Sequence, residues 1–115
     1  MDTPKRPINR HDHYHAHVYF DAPSLAFARQ LRNELEQEFE LELGTMHQRL
    51  VGPHTMWSFQ VLFDSTQFES LITWLDVHRG ALSVLVHADT GDDLVDHTQY
   101  AYWLGCPVKL DLSQF

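Results

Sequence analysis

The stretch HDHYHAHVYF, residues 11–20, places histidine at four successive odd positions, His11, His13, His15 and His17, before continuing into Val18, Tyr19 and Phe20. Imidazole exchanges its proton near neutrality and is the commonest metal ligand among side chains. In a strand, side chains alternate between faces, so His15, His17 and Tyr19 share one face while Ala16, Val18 and Phe20 share the other. One face suits a core, the other chemistry. His15 and His17 then stand about 7 Å apart along the strand, a workable separation for two ligands flanking one ion. A pair of solvated or hydrogen-bonded imidazoles is the plain alternative for an isolated His-x-His. His11 and His13 lie further out and are assigned to the surface.

A third imidazole, His87, strengthens the metal reading. It ends the apolar run ALSVLVH, which is expected to lie antiparallel beside the histidine strand, so the end of one meets the start of the other. Three neutral imidazoles with an open coordination position suit Fe(II), Zn or Mn. His54, in GPHT, precedes a strand whose start falls at the opposite end of the sheet. Strand topology therefore argues against it as a ligand in the same subunit, leaving turn capping, substrate binding or a reach across a dimer interface. Past His87, the segment HADTGDDLVDHT holds Asp89, Asp92, Asp93, Asp96 and His97. A carboxylate there could complete a metal site or orient a ligand, with capping of the turn and helix as the alternative. His97 could serve as a general acid or base. His47 and His78 have no company and read as surface residues, and Cys106, the single cysteine, reads as buried packing.

These residues need a scaffold. In DAPSLAFARQLRNELEQEFE, the residues Leu25, Phe27, Ala28, Leu31 and Leu35 recur at helical spacing after a cap near Ser24. FELELGTM alternates as a half-exposed strand, with Phe39, Leu41 and Leu43 opposite Glu40 and Glu42. MWSFQVLF reads as a strand with Trp57, Phe59, Val61 and Phe63 on its core face. DSTQFESLITWLDVHRG reads as a second helix, capped by Asp64 or Ser65, with Phe68, Leu71, Ile72 and Leu75 inward and Gly80 as its stop. ALSVLVHADTG supplies a further strand, DDLVDHTQYAYWLG a short helical or looped piece, and PVKLDL a terminal extended segment. The order β-α-β-β-α-β predicts an α+β, ferredoxin-like sandwich with both helices on one sheet face. The other face would be left open, which predicts a homodimer with facing sheets, a dimeric α/β barrel.

With 115 residues and 43% hydrophobic content, the chain fits a single domain over residues 11–115, preceded by a flexible tail at 1–10. Sixteen acidic residues against eight basic ones give a formal charge of -8, which argues against nucleic acid as a partner and against a strongly anionic substrate. Neither a signal-like nor a membrane-spanning apolar run is present in the sequence, and a reducing cytoplasm is the expected location. Gly-rich phosphate loops, Gly-x-Ser-x-Gly elbows and Cys-x-x-Cys pairs are also absent from it.

The motifs YHAHVYFD, VGPHTMWSFQVLF, LVHADTGDDLVDHT and YWLG, in this order and spacing, resemble those of the DOPA 4,5-dioxygenase family over Tyr14 to Leu112. The resemblance implies a small non-haem-iron oxygenase of the extradiol type, with His15, His17, His54, His87, Asp96 and His97 as functional positions. Our assignment makes His15, His17 and His87 the metal ligands and His54 and His97 the catalytic residues. Fe(II) is the expected metal, with Zn or another divalent ion able to occupy the site, and the expected substrates are a DOPA-like catechol and O2. Tyr19, Tyr100 and Trp103 are expected to bind the substrate, and Trp57 and Tyr102 are further aromatic candidates. Two rival readings use the same fold: a non-catalytic dimer that holds a metal or small aromatic, and a metal-independent monooxygenase.

Overall fold

The computed structural model describes residues 5–115. Part of the expected tail, residues 1–4, lies outside the described residues. The chain runs β1 (His13–Phe20), α1 (Leu25–Glu38), β2 (Glu42–Leu43), β3 (Trp57–Asp64), α2 (Phe68–His78), β4 (Val84–Ala88), α3 (Asp93–Asp96) and β5 (Ala101–Leu104). All five strands form one antiparallel sheet in the order β2-β3-β1-β4-β5. This is an α+β fold with an open sheet, whose edges are β2 and β5. It corrects the barrel expected from the sequence.

Alternation decides the faces. Tyr14, Ala16, Val18 and Phe20 of β1 join Phe59, Val61 and Phe63 of β3 and Val84 and Val86 of β4 in the core. Against them pack Ala28, Leu31 and Leu35 of α1 and Phe68, Leu71, Ile72 and Leu75 of α2. Each large side chain buried in this way contributes about 1.5–3 kcal/mol. Phe27, expected on the inner side of α1, is instead 47% exposed. It lies one position from Ala28, about 100° around the helix, and so falls outside the stripe set by 28, 31 and 35.

Several boundaries also differ. Ser24 occupies the cap position of α1, but its hydroxyl donates to Asp21 Oδ1 rather than capping the helix. Helix α2 begins after Gln67, and Asp64 acts one step earlier, its Oδ1 accepting from the Thr66 and Gln67 amides. The fifth strand lies within YAYWLG, because β4 pairs with Ala101–Leu104, whereas PVKLDL forms no strand. Cys106 is exposed, since it follows the turn at Gly105, where the chain leaves the sheet. Residues 5–10 run beside the sheet: the Lys5 carbonyl accepts from Trp103 N at 2.8 Å, and Arg6 pairs with Asp76 at 2.8 Å.

Helix α2 stops where the sequence indicates. Gly80 has φ +58°, and a Cβ there would approach Phe27 Cζ to 2.8 Å. Gly80→Ala is expected to destabilise the fold by about 1–2 kcal/mol, mainly through the left-handed backbone because exposed Phe27 can move aside. A urea midpoint unchanged from the parent would contradict this.

Among the described residues no helix is long and apolar enough to cross a membrane.

Candidate metal centre

The sheet face opposite α1 and α2 carries His15, His17 and Tyr19 from β1 and His87 from β4. Antiparallel pairing sets His15 directly opposite His87 and His17 opposite Leu85. Period-two alternation and this register together bring the three imidazoles to one place, and one ligand nitrogen from each lies within 4.8 Å of the others. His17 and His87 are 5% and 3% exposed, whereas His15 is half-buried.

The closest pair is His17 Nε2 and His87 Nε2, 2.9 Å apart. His87 Nδ1 lies 2.7 Å from the Ala88 carbonyl, which can only accept, so Nδ1 carries the proton and Nε2 presents a lone pair. His17 therefore donates its Nε2–H across the gap. An ion could take that proton's place, because two nitrogens each about 2.0–2.1 Å from one ion lie about 3 Å apart. One nitrogen of His15 lies within 4.8 Å of a nitrogen of each of the other two rings and can serve as a third donor. His15 Nε2 lies 3.3 Å from Asp89 Oδ2, which can orient the ring.

Burial favours the neutral, ligating form. It pushes His17 well below the ordinary histidine value, helped by neighbouring imidazoles, above all His54. Burial brings His87 down to about 3, partly opposed by its bond to Ala88. Such lone pairs stay available to a metal in mildly acidic solution.

Two further imidazoles continue the row. The His54 ring lies 4.2 Å from that of His17, and the His97 ring 4.2 Å from that of His87. His54 thus reaches the site within its own subunit, against the topological expectation. The loop between β2 and β3 turns back over the sheet: His47 bridges to Ser58, Gly52 takes φ +55°, and Asp111 N donates to the Pro53 carbonyl at 2.8 Å. Thr55 Oγ1 donates to the Lys109 carbonyl. That loop, α3 and the C-terminal segment roof much of the face expected to be open, and Leu85 and Ser58 on it are 0% and 1% exposed.

A cavity of about 320 Å³ remains beneath the roof, lined by His15, His17, His47, His54, His87 and His97 together with Gln60, Asp89 and Asp93. Its size falls at the lower end of the about 300–1,000 Å³ usual for small-molecule sites. Asp96 is 1% exposed, with both carboxylate oxygens accepting from Thr90, so it braces the turn that carries His97. Asp92 caps α3.

The aromatic candidates fall elsewhere. Tyr19 is buried behind His54, its hydroxyl 2.7 Å from His54 Nδ1. Trp103 stacks on Tyr19 at 6.1 Å, Tyr100 lies against His11 at 4.4 Å, and neither lines the cavity. Trp57 packs at the core edge. Sequence reasoning missed His47 and Phe115; the Phe115 ring lies 4.9 Å from that of His97. The Gly52-Pro53 pair between His47 and His54 signals a turn but not its direction.

Known proteins are similar to this chain. Residues 14–114 match the model of the Dopa 4,5-dioxygenase family. A DOPA 4,5-dioxygenase from Amanita muscaria is 31% identical over 109 residues, covering 87% of this chain and 48% of the relative. An uncharacterized 21.2 kDa protein from Botryotinia fuckeliana is 38% identical over 112 residues, covering 87% of this chain and 61% of the relative. The chain thus spans about half to three-fifths of the length of these two relatives. A crystal structure from Nostoc punctiforme, of a protein provisionally named a dioxygenase, superposes with a TM-score of 0.84 at 41% identity, covering 87% of each chain. With nearly the whole described chain matched, this protein belongs to the Dopa 4,5-dioxygenase family.

Proposed function

We propose that this chain is a metal-dependent extradiol dioxygenase that opens a catechol ring with O2, on a ferredoxin-like sandwich. The strand order β2-β3-β1-β4 supports that fold reading. The observation that carries the function is the convergence of His15, His17 and His87 on the floor of a cavity that holds two more imidazoles. A divalent ion such as Fe(II), bound by these three, would supply a centre that gathers both catechol oxygens and O2.

The chain's own groups do the rest. The sheet floor and the loop roof would hold a planar ring between them and limit its contact with water. His54 and His97 flank the ligand row and stand where an imidazole nitrogen can meet a catechol hydroxyl. Cleavage of the ring bond beside the diol sends both oxygen atoms of O2 into a ring-opened semialdehyde-type product. Asp89 and Asp93 line the cavity, and neither Lys nor Arg is among its described lining residues, which supports a neutral or cationic catechol over a strongly anionic one. Assembly as a homodimer belongs to the proposal and is measured by light scattering.

Protein loaded with Fe(II) without oxygen, then given a catechol and air, is expected to take up O2 and develop a new yellow absorbance. Metal retained with no oxygen uptake across several catechols would favour the non-catalytic binding protein. Turnover that survives a chelator would favour the metal-independent monooxygenase.

A further inference from the structure

The two imidazoles that flank the ligand row are held by partners of opposite kind. His97 Nδ1 lies 2.7 Å from the Asp93 carbonyl. A carbonyl only accepts, so Nδ1 bears the proton and Nε2 is left as a lone pair. His54 Nδ1 lies 2.7 Å from the Tyr19 hydroxyl. Tyr19 is 1% exposed, and among the described residues its hydroxyl has this single hydrogen-bond partner. Were it to accept from Nδ1, its own O–H would be buried without a partner, at a cost of about 1–3 kcal/mol. Tyr19 therefore donates, Nδ1 accepts, and the proton of neutral His54 resides on Nε2. Both rings line the cavity, His97 with a bare Nε2 and His54 with an Nε2–H.

From this contrast we infer that His97 alone carries the catechol proton, that His54 is a fixed hydrogen-bond donor, and that Tyr19 is the positioning residue for His54. The inference rests on the dioxygenase reading. In the step assigned to His97, the catechol O–H bond breaks, its electron pair stays on oxygen, and the proton forms a bond to Nε2. The resulting imidazolium returns that proton to the ring-opened product. His54 cannot do the same: giving up Nε2–H would leave an imidazolate, relieved only by taking the proton of a buried phenol. Its contribution is to stabilise negative charge that develops on an oxygen atom, as a neutral imidazole does elsewhere.

Nitrogen-15 NMR of the zinc-loaded protein reads the tautomers without catalysis. The expected pattern is His97 protonated at Nδ1 and His54 at Nε2, with Tyr19→Phe changing the His54 Nδ1 signal while metal content and fold remain. Kinetics of the iron-loaded protein separate the roles. His54→Gln retains an N–H donor and should stay within about 10-fold of the parent kcat, whereas His54→Ala loses about 100-fold or more. His97→Gln should lose as much as His97→Ala, about 100-fold or more, because an amide cannot take up the proton. Tyr19→Phe should lower kcat by about 10-fold with little change in KM. Reversed tautomers, or a His97→Gln variant as active as the parent, would overturn this inference alone. The expected tautomers in a protein that consumes no catechol would retire the proton-carrier role together with the dioxygenase proposal.

Discussion

The double replacement His15→Ala with His17→Ala is expected to abolish stoichiometric binding of a divalent metal while leaving the sheet folded. Two of three converging nitrogens disappear, and His87 Nε2 loses the partner 2.9 Å away. Loss of a group outside the ligand set typically costs 10- to 100-fold in metal affinity, so removing two ligands should exceed about 100-fold. The core should tolerate the change, because both side chains leave the sheet on the face opposite α1 and α2, where Ala16 and Val18 remain in place. Elemental analysis after dialysis, titration calorimetry with zinc and far-ultraviolet circular dichroism test these points. Unchanged metal stoichiometry in a folded double variant would defeat the ligand assignment.

The second large effect concerns acid. In the metal-free protein, His17, His54 and His87 are all held below the ordinary histidine value, His54 at about 4 and His87 at about 3, with burial the leading cause in each. Depressed values mean that the unfolded chain binds these protons first. As pH falls below about 6.5, the unfolded state takes up protons the folded state refuses, and stability declines. Three such groups give a slope of up to about 4 kcal/mol per pH unit between the unfolded value and the highest of the folded ones. Below the folded values the difference stops growing. A typical domain has about 5–15 kcal/mol to lose, so metal-free protein should lose much of its stability within roughly two to three units below pH 6.5. Bound zinc should move this transition to lower pH, since protons and metal compete for the same nitrogens. Urea midpoints measured from pH 7 to pH 4 give the slope directly, and a flat profile would contradict buried neutral imidazoles.

Much of the scaffold was legible because it rests on short-range rules. Alternation in HYHAHVYF and WSFQVLF assigned the core and site faces of β1 and β3, and the observed faces agree. Helical periodicity located α1 and α2 and most of their buried residues, and Gly80 marked a helix end. The convergence of His15, His17 and His87 followed from alternation plus one antiparallel pairing. Phe27 keeps the four-residue spacing to Leu31 and Leu35, so periodicity alone placed it inward, whereas the packed stripe of Ala28, Leu31 and Leu35 leaves it at the edge. The fifth strand escaped because Ala101–Leu104 is short, and its identity depends on β4 offering a free edge.

The amino-acid sequence by itself determined which side chains leave each strand toward the core and which toward the site, since that depends on a period of two and on the burial of apolar residues. Tertiary structure alone decided that His54 and His97 join the ligand row, that Tyr19 serves His54, and that the site face is roofed from within the chain. Those placements depend on bonds between residues far apart in sequence, such as Asp111 to Pro53 and Thr55 to Lys109. No local periodicity encodes the direction in which a loop folds back, because the contacts that hold it form only once both segments are already in place.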